Sequence, residues 1–396
     1  MSGSPRTVLA AAAAAQASVS IVAFGLPAVG PDLREEYGLS LTMLGAALAA
    51  TILGSGVFLL VAGLVVDRYG ARRSMLAGTA LGAGGLAAAG FAPGPEALVG
   101  LLFLSGCGSA VVPIAGTRAL FGSYGAERRG WALGVRQMAV PLGGTLAALL
   151  LPALVALGGI RLAFVGSALI VCAAGLAFAA VVEGSMEPGE RVPFALTRLW
   201  RTPGMQRLLV VAALYIVVLQ AVVAYTVPAA RAAGFSPLVA GAAFVLVNVA
   251  AGFARILWGR RADGDGGRRR VRALVEVGAV AAIGAFAFAF ALDAGSAVLL
   301  ATAAFLAFGA LGWNALVYVT AGERVPRELA GQSVALAATV VFVVAALCTP
   351  VLGALAEHAG WTVFWLTAAG LAAVGASLAA TLPGAAGRPL AAPSLP

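Results

Sequence analysis

Twelve apolar stretches, separated by short connections that carry most of the arginines, constrain this chain more than any other feature. They fall at roughly 8–30, 41–65, 74–92, 97–120, 131–156 and 161–182, and again at 205–229, 237–258, 271–291, 296–319, 331–356 and 361–382. About 20 apolar residues suffice to cross the hydrocarbon core as a helix, which pairs its backbone polar groups without water. The chain therefore reads as a membrane protein that threads the bilayer twelve times. A polar segment at 183–204 parts six spans from six. Residues 1–182 are expected to form one six-helix bundle and 205–382 another, with 183–204 as a central cytoplasmic loop. Residues 383–396, rich in Pro, Ala and Gly, read as a disordered cytoplasmic tail. The stretch after Arg6 imitates a signal peptide, but no small-residue cleavage site stands clear of it, so it is read as a retained first helix.

Sixty-one per cent of the residues are hydrophobic and 10% charged, with a mean hydropathy of +1.00. All 25 basic residues are arginine, and the formal charge is +9. In a soluble chain that balance would point to nucleic acid. Here the arginines mark topology instead, and no nucleic-acid partner is expected. With both termini cytoplasmic, twenty arginines face the cytoplasm: Arg6, the 68–73 group, Arg118, Arg128, Arg129, four in or just after the central loop, six across 260–272, Arg324, Arg327 and Arg388. Three (Arg34, Arg161 and Arg231) face outward, and Arg136 and Arg255 lie within spans. This is the positive-inside pattern of a multi-pass protein of the cell membrane, surrounded by lipid. Cys107, Cys172 and Cys348 lie in apolar spans without CxxC spacing, and His358 is the single histidine. No metal site, cofactor or His-based triad is expected. A nucleotide-binding G-x-x-x-x-G-K-[ST] loop cannot exist without lysine, so the chain is expected to be neither an enzyme nor an ATP-driven pump.

One connection occurs twice. Gly63-Leu-Val-Val-Asp67-Arg68-Tyr-Gly70-Ala-Arg72-Arg73 returns 196 residues later as Gly259-Arg-Arg-Ala-Asp263-Gly264-Asp-Gly266-Gly-Arg268-Arg269. Gly63 is small enough for a close helix contact, and Asp67 can accept from a helix N-terminus or pair with an arginine. Gly70 permits a tight reversal, and Arg72 and Arg73 anchor the charged surface. Positive-inside statistics account for the arginines but not for a fixed G-xxx-D-xx-G-x-R-R spacing in both halves. The pattern resembles the signature loop of the major facilitator superfamily, and its return between spans eight and nine is what that family's two halves imply. The resemblance covers the whole chain. It implies an all-α membrane protein, with twelve transmembrane helices in two pseudo-symmetric six-helix bundles, that alternates access to a small molecule held near the midplane. It also implies that the loops are conformational latches, formed by Gly63, Asp67, Arg68, Gly70, Arg72 and Arg73 and by Gly259, Asp263, Arg268 and Arg269. Arg118 and Arg129 are then partners for Asp67. Gly264 stands where the first copy has Arg68, which implies unequal latches.

In the fifth span, Gly134-Val-Arg136-Gln137-Met-Ala-Val-Pro141-Leu-Gly143-Gly144 partly resembles the glycine–proline motif of antiporter branches, with Val140 in place of the glycine before the proline. Arg136-Gln137 ahead of Pro-x-Gly-Gly is more similar to bacterial carriers related to the cyanate and nitroimidazole permeases. The fourth span has Gly106-Cys-Gly108, but Leu102 occupies the place where the family often has an arginine. Gly78-xxx-Gly82 and Gly106-Cys-Gly108 permit close helix approach.

An ionisable group inside a span is costly, and its presence points to function by default. Arg136 cannot be neutralised at ordinary pH, and its donor fork suits planar anions. The alternative is that it snorkels to headgroups or pairs with an acid. Arg255, four residues before Gly259, has a spacing that resembles the eighth-helix arginine of monocarboxylate and oxalate carriers; a gating or structural pair is its alternative. Glu276, four residues beyond Arg272, reads as that residue's helical partner. In the resembled family helices one, four, seven and ten line the cavity, which brings in Gln16, Gln220, Tyr225 and Asn314. Gln137 and Asn248 complete the polar candidates. None of those four helices carries a central Asp or Glu, the group that cation-drug exporters of the family commonly use. The expectation is a secondary active transporter, symporter or antiporter, for a small organic or inorganic anion. It would act as a functional monomer, with a coupling proton among the partners the family allows. A proton-coupled exporter of drugs or apolar metabolites is the alternative, and a non-transporting membrane sensor is a third reading.

Overall fold

The computed structural model describes residues 4–182, 196–262 and 268–383. Most of the expected central loop (183–195), the middle of the second signature loop (263–267) and the expected tail beyond Pro383 lie outside the described residues. The helix α1 (Pro5–Gly25) starts where Ser4 Oγ accepts from the Thr7 amide at 3.3 Å, with proline in the first turn where no N–H is needed. A 3-10 turn (Leu26–Val29) leads into the short polar α2 (Gly30–Tyr37). Then follow α3 (Leu41–Ala89), α4 (Pro95–Ser109), α5 (Val111–Ser123) and α6 (Ala126–Val181). After the central loop come α7 (Leu196–Trp200), α8 (Met205–Ala232), α9 (Pro237–Ala262) and α10 (Arg268–Ala291). The chain ends in α11 (Ser296–Ala310), α12 (Asn314–Glu323) and α13 (Arg327–Ala380). Among the described residues there is no strand.

Three of these helices are too long for one crossing. α3, α6 and α13 have 49, 56 and 54 residues, more than twice the length that spans a bilayer. Each turns back at glycine: Gly70 (φ 79°), Gly159 (φ 69°) and Gly360 (φ 82°). Positive φ is open to glycine without a steric penalty. Across the first reversal Ser74 Oγ donates to the Val65 carbonyl, nine residues back, at 3.2 Å. With these hairpins counted, and α4–α5 and α11–α12 each making one crossing, the chain passes twelve times. The expected reversal at Gly70 is therefore present. The junctions at Gly159 and Gly360, in matching places of the two halves, extend the duplication beyond the signature loop.

The paired glycines of the first half meet each other. A Cβ on Gly108 would overlap the Gly82 backbone nitrogen, and one on Gly78 would lie 2.8 Å from the Gly108 carbonyl. Lipid supplies no hydrophobic drive between helices, so backbone-to-backbone approach of this kind lets dispersion hold α3 against α4.

The fourth and tenth crossings, expected as continuous helices, are broken. α4 gives way to α5 at Ala110 because Pro113 has no N–H for the Ser109 carbonyl and its ring crowds that carbonyl. The break between α11 and α12 covers Leu311–Trp313. There the Trp258 indole donates to the Phe308 carbonyl at 2.9 Å, a carbonyl that the Gly312 amide would take in an unbroken helix.

Among the described residues, the two halves share a buried core at one end. A continuous buried core runs from Ile21, Leu26, Leu44 and Leu48 of the first half through the second half. The arginine-rich end of the first half (Val8, Val66, Met75, Val111, Leu120 and Phe178 among others) packs as a separate core. At the joined end, opposite the arginines, α3 lies against α13. A Cβ on Gly45 would fall 2.7 Å from both Pro350 Cα and the Thr349 carbonyl, and the Thr42 hydroxyl donates to Glu357 Oε2 at 2.9 Å. The molecule is thus sealed on the face opposite the arginines and parted on the arginine-rich face. Overpacking such a seam costs about 1–3 kcal/mol. Gly45→Leu should therefore shift the population towards a parted seam. Faster maleimide labelling of a cysteine placed at Thr42, in a background lacking the three native cysteines, reads this out; an unchanged rate would put the seam elsewhere.

Candidate functional site

Arg136 projects from α6 into the first half, and only 5% of it is exposed. Its Nη1 donates to Gln16 Oε1 on α1 at 3.3 Å and to the Pro113 carbonyl on α5 at 3.0 Å. The same carbonyl accepts from the Thr117 hydroxyl at 2.7 Å, so one oxygen beside the helix break gathers two side-chain donors. Gly116 backs the guanidinium: a Cβ there would lie 3.1 Å from Nη1 and 3.6 Å from Cδ. Nε is buried without a partner, and no described residue bonds Nη2. The structure thus brings Arg136 and Gln16 together, whereas Gln137, the next residue along, is exposed.

The second half contributes Arg255, half-buried on α9 and within electrostatic range of Tyr318 on α12. It makes no hydrogen bond or ion pair among the described residues. Asn314 opens α12 at the break, and its Oδ1 is buried without a partner, as is the Trp313 indole nitrogen. Asn248 is buried but spends its amide on the Phe244 carbonyl of its own helix at 2.9 Å. Discontinuous helices at corresponding places of two repeats are where carriers of this architecture hold their cargo. Arg136 sits beside the first break, and Asn314 sits at the second.

Gln220 and Tyr225 lie elsewhere. Gln220 donates to the Thr349 hydroxyl at 2.9 Å, and the Tyr225 hydroxyl donates to the Thr349 carbonyl at 2.6 Å. Tyr225 is fully buried against Phe364 and next to Gly45 and Gly353. Both side chains brace the sealed seam. Thr349, which receives them, carried no signal in the sequence, because a threonine in an apolar span usually bonds back to its own helix; this one also does so, to the Ala345 carbonyl at 2.6 Å.

On the arginine-rich face, Arg68, Arg72, Arg73 and Arg268 are exposed, and Arg118 is half-buried. The side chains of Asp67 and Arg129, and all of Asp263 and Gly264, lie outside the described residues. Gly63 departs from expectation: a Cβ there would meet nothing within 4 Å, and the same holds at Gly259. With the halves parted at this end, no helix approaches either glycine. Glu276 also departs from expectation. It pairs with Arg261 across α9 and α10, with a second bond of 2.8 Å, instead of with Arg272 on its own helix. Arg270 and Glu323 form a further ion pair that spacing did not reveal, since it joins α10 to the end of α12. Among the described residues no group of His, Cys, Asp and Glu could hold a metal ion.

The sequence profile of the Major Facilitator Superfamily matches residues 8–347. No curated protein sequence matches the chain. Among solved structures, a bacterial homologue of the human lysosomal transporter Spinster, inward-facing and unoccupied, superposes with a TM-score of 0.80 at 16% identity, over 95% of this chain and 96% of that one. A D-xylose–proton symporter gives 0.77 at 16% identity, over 97% and 99% of the two chains. The nucleoside transporter NupG gives 0.77 at 15%, over 94% and 98%. At such identities the likeness is one of fold. The placement of Tyr225 yields a direct test. Tyr225→Phe loses a buried hydrogen bond worth about 0.5–1.5 kcal/mol. Its unfolding midpoint in detergent should fall while ligand binding persists; lost binding with an unchanged midpoint would move Tyr225 from the seam to the cargo site.

Proposed function

Because the chain belongs to the Major Facilitator Superfamily, a superfamily of transporters rather than enzymes, we propose that it is a secondary transporter that moves a small organic or inorganic anion by alternating access. Arg136 is the group that recognises the charge. One observation carries this reading: a guanidinium that is 5% exposed has two neutral acceptors and no carboxylate partner among the described residues. An uncompensated buried charge costs several kcal/mol. An anionic cargo offsets that cost at the point where the cargo is held.

The rest of the sequence supports the same choice. Within the twelve spans the only acidic residue is Glu276, and it is committed to Arg261. A hydrophobic cation would find no counter-charge near the breaks, and a proton-coupled exporter would find no carboxylate carrier there. Arg136-Gln137 ahead of Pro141-Leu-Gly143-Gly144, which is similar to the cyanate and nitroimidazole permeases, points to small cargo as well. We assign the arginine-rich face to the cytoplasm by the positive-inside rule. The parted end then faces the cytoplasm, as in the inward-facing Spinster homologue. Asn314 and Arg255 line the second half's side of the opening, and the duplicated loops latch the parted end when it closes.

A ligand that binds the native state raises apparent stability by about 2.7 kcal/mol at a hundred times its Kd. Thermal unfolding of the purified protein against small anions and hydrophobic cations should therefore give a rise in midpoint with anions alone, and Arg136→Gln should abolish it. A response confined to cations, or an equal anion response in Arg136→Gln, would remove Arg136 from charge recognition.

A further inference from the structure

We propose that the cargo presents two coplanar oxygens, as a carboxylate does, and that Arg136 grips it side-on through Nε and Nη2, with Gly116 and Gln16 holding the guanidinium at that angle. This rests on the anion-carrier reading and narrows it. A guanidinium has two edges that can fork onto a carboxylate: the end-on pair Nη1 and Nη2, and the side-on pair Nε and Nη2. In this protein Nη1 is already spent on Gln16 Oε1 (3.3 Å) and the Pro113 carbonyl (3.0 Å). The end-on edge is therefore closed. Nε, on the other edge, is buried without a partner, and Nη2 beside it is unbonded by any described residue. Buried donors are almost always satisfied, so a buried orphan Nε with an unbonded Nη2 beside it, on one edge of an otherwise anchored arginine, marks where an acceptor with two oxygens docks.

The anchoring depends on a missing methyl group. Gly116 lies against the Nη1–Cδ side of the guanidinium, and a Cβ there would stand 3.1 Å from Nη1. An alanine would force the group to give way, which strains both Nη1 bonds and tilts the free edge. Gly116 is therefore a positioning residue. Thr117, one turn on in the same helix, shares the Pro113 carbonyl at 2.7 Å. A point charge would tolerate such tilting, but a two-bond fork does not.

The test uses the full-length protein in detergent and thermal-shift titration with acetate and benzoate, with chloride at equal ionic strength as the single-point anion. Wild type should be stabilised by both carboxylates and not by chloride, and Arg136→Gln should lose the response. Arg136→Lys, which keeps the charge and loses the fork, should bind the carboxylates on the order of tenfold more weakly or worse, the equivalent of one lost hydrogen bond. Gly116→Ala should lose carboxylate affinity while Arg136 remains in place. Isotope-edited infrared spectroscopy of labelled benzoate on wild type, which needs no variant to fold, should show the carboxylate stretches shifted together from their free values. Arg136→Lys binding like wild type, or unshifted stretches on bound benzoate, overturns the side-on grip and leaves the anion carrier standing. Wild type responding equally to chloride does the same. Arg136→Gln binding like wild type overturns both.

Discussion

Within hydrocarbon a helix keeps its carbonyls bonded because no water will take them, and each departure has to be settled by another side chain. This chain departs at two matched places, Ala110 and Leu311–Trp313. At the first, Arg136 and Thr117 converge on the Pro113 carbonyl; at the second, the Trp258 indole takes the Phe308 carbonyl. The breaks are therefore the points at which polar side chains are drawn inward from neighbouring helices. Arg136 is placed by a bond to the Pro113 carbonyl, one turn beyond the Ser109 carbonyl that the proline leaves without an amide donor. Fold and site meet here, because the residue that interrupts the crossing also carries the carbonyl that orients the guanidinium.

The seam opposite the arginines depends on a different kind of economy. Gly45 brings α3 onto the Thr349 and Pro350 backbone of α13, and Tyr225 supports that backbone from behind. Few polar bonds cross the seam; the Thr42–Glu357 contact is at its exposed edge. Contact is thus mostly dispersion between close backbones, which is lost over a short displacement and leaves no buried donor stranded. A seam built this way can part without the penalty that a network of buried bonds would impose. At the other end most of the described arginines are exposed, and the first half packs as a core of its own.

Much of this architecture was legible in the chain. The twelve crossings follow from the length of the apolar runs, the reversal at Gly70 from a glycine inside a repeated motif, and the close contact of α3 with α4 from Gly78, Gly82, Gly106 and Gly108. Arg136 stood out because it is charged within a span. What stayed hidden depends on the register between helices that are distant in sequence. Gly116 looks like any other of 52 glycines until α6 lays Arg136 against it. Gln220 and Tyr225, placed by helix number among cavity residues, turn towards α13 instead, because the face a residue takes is set by what its helix packs on. The spacing marks Gly63 as a contact glycine, but a Cβ there would meet open space, because spacing along one helix does not say whether another lies opposite.

The division of labour between the two arginines follows from these placements. Arg136 is held by two neighbouring helices, α1 and α5, so its guanidinium is anchored in the absence of any ligand. Arg255 is bonded to no described residue and stands one turn before Gly259, so no bond fixes its side chain. On the anion-carrier reading proposed above, the fixed arginine of the first half is the firm contact and the loosely held one of the second half the adaptable contact.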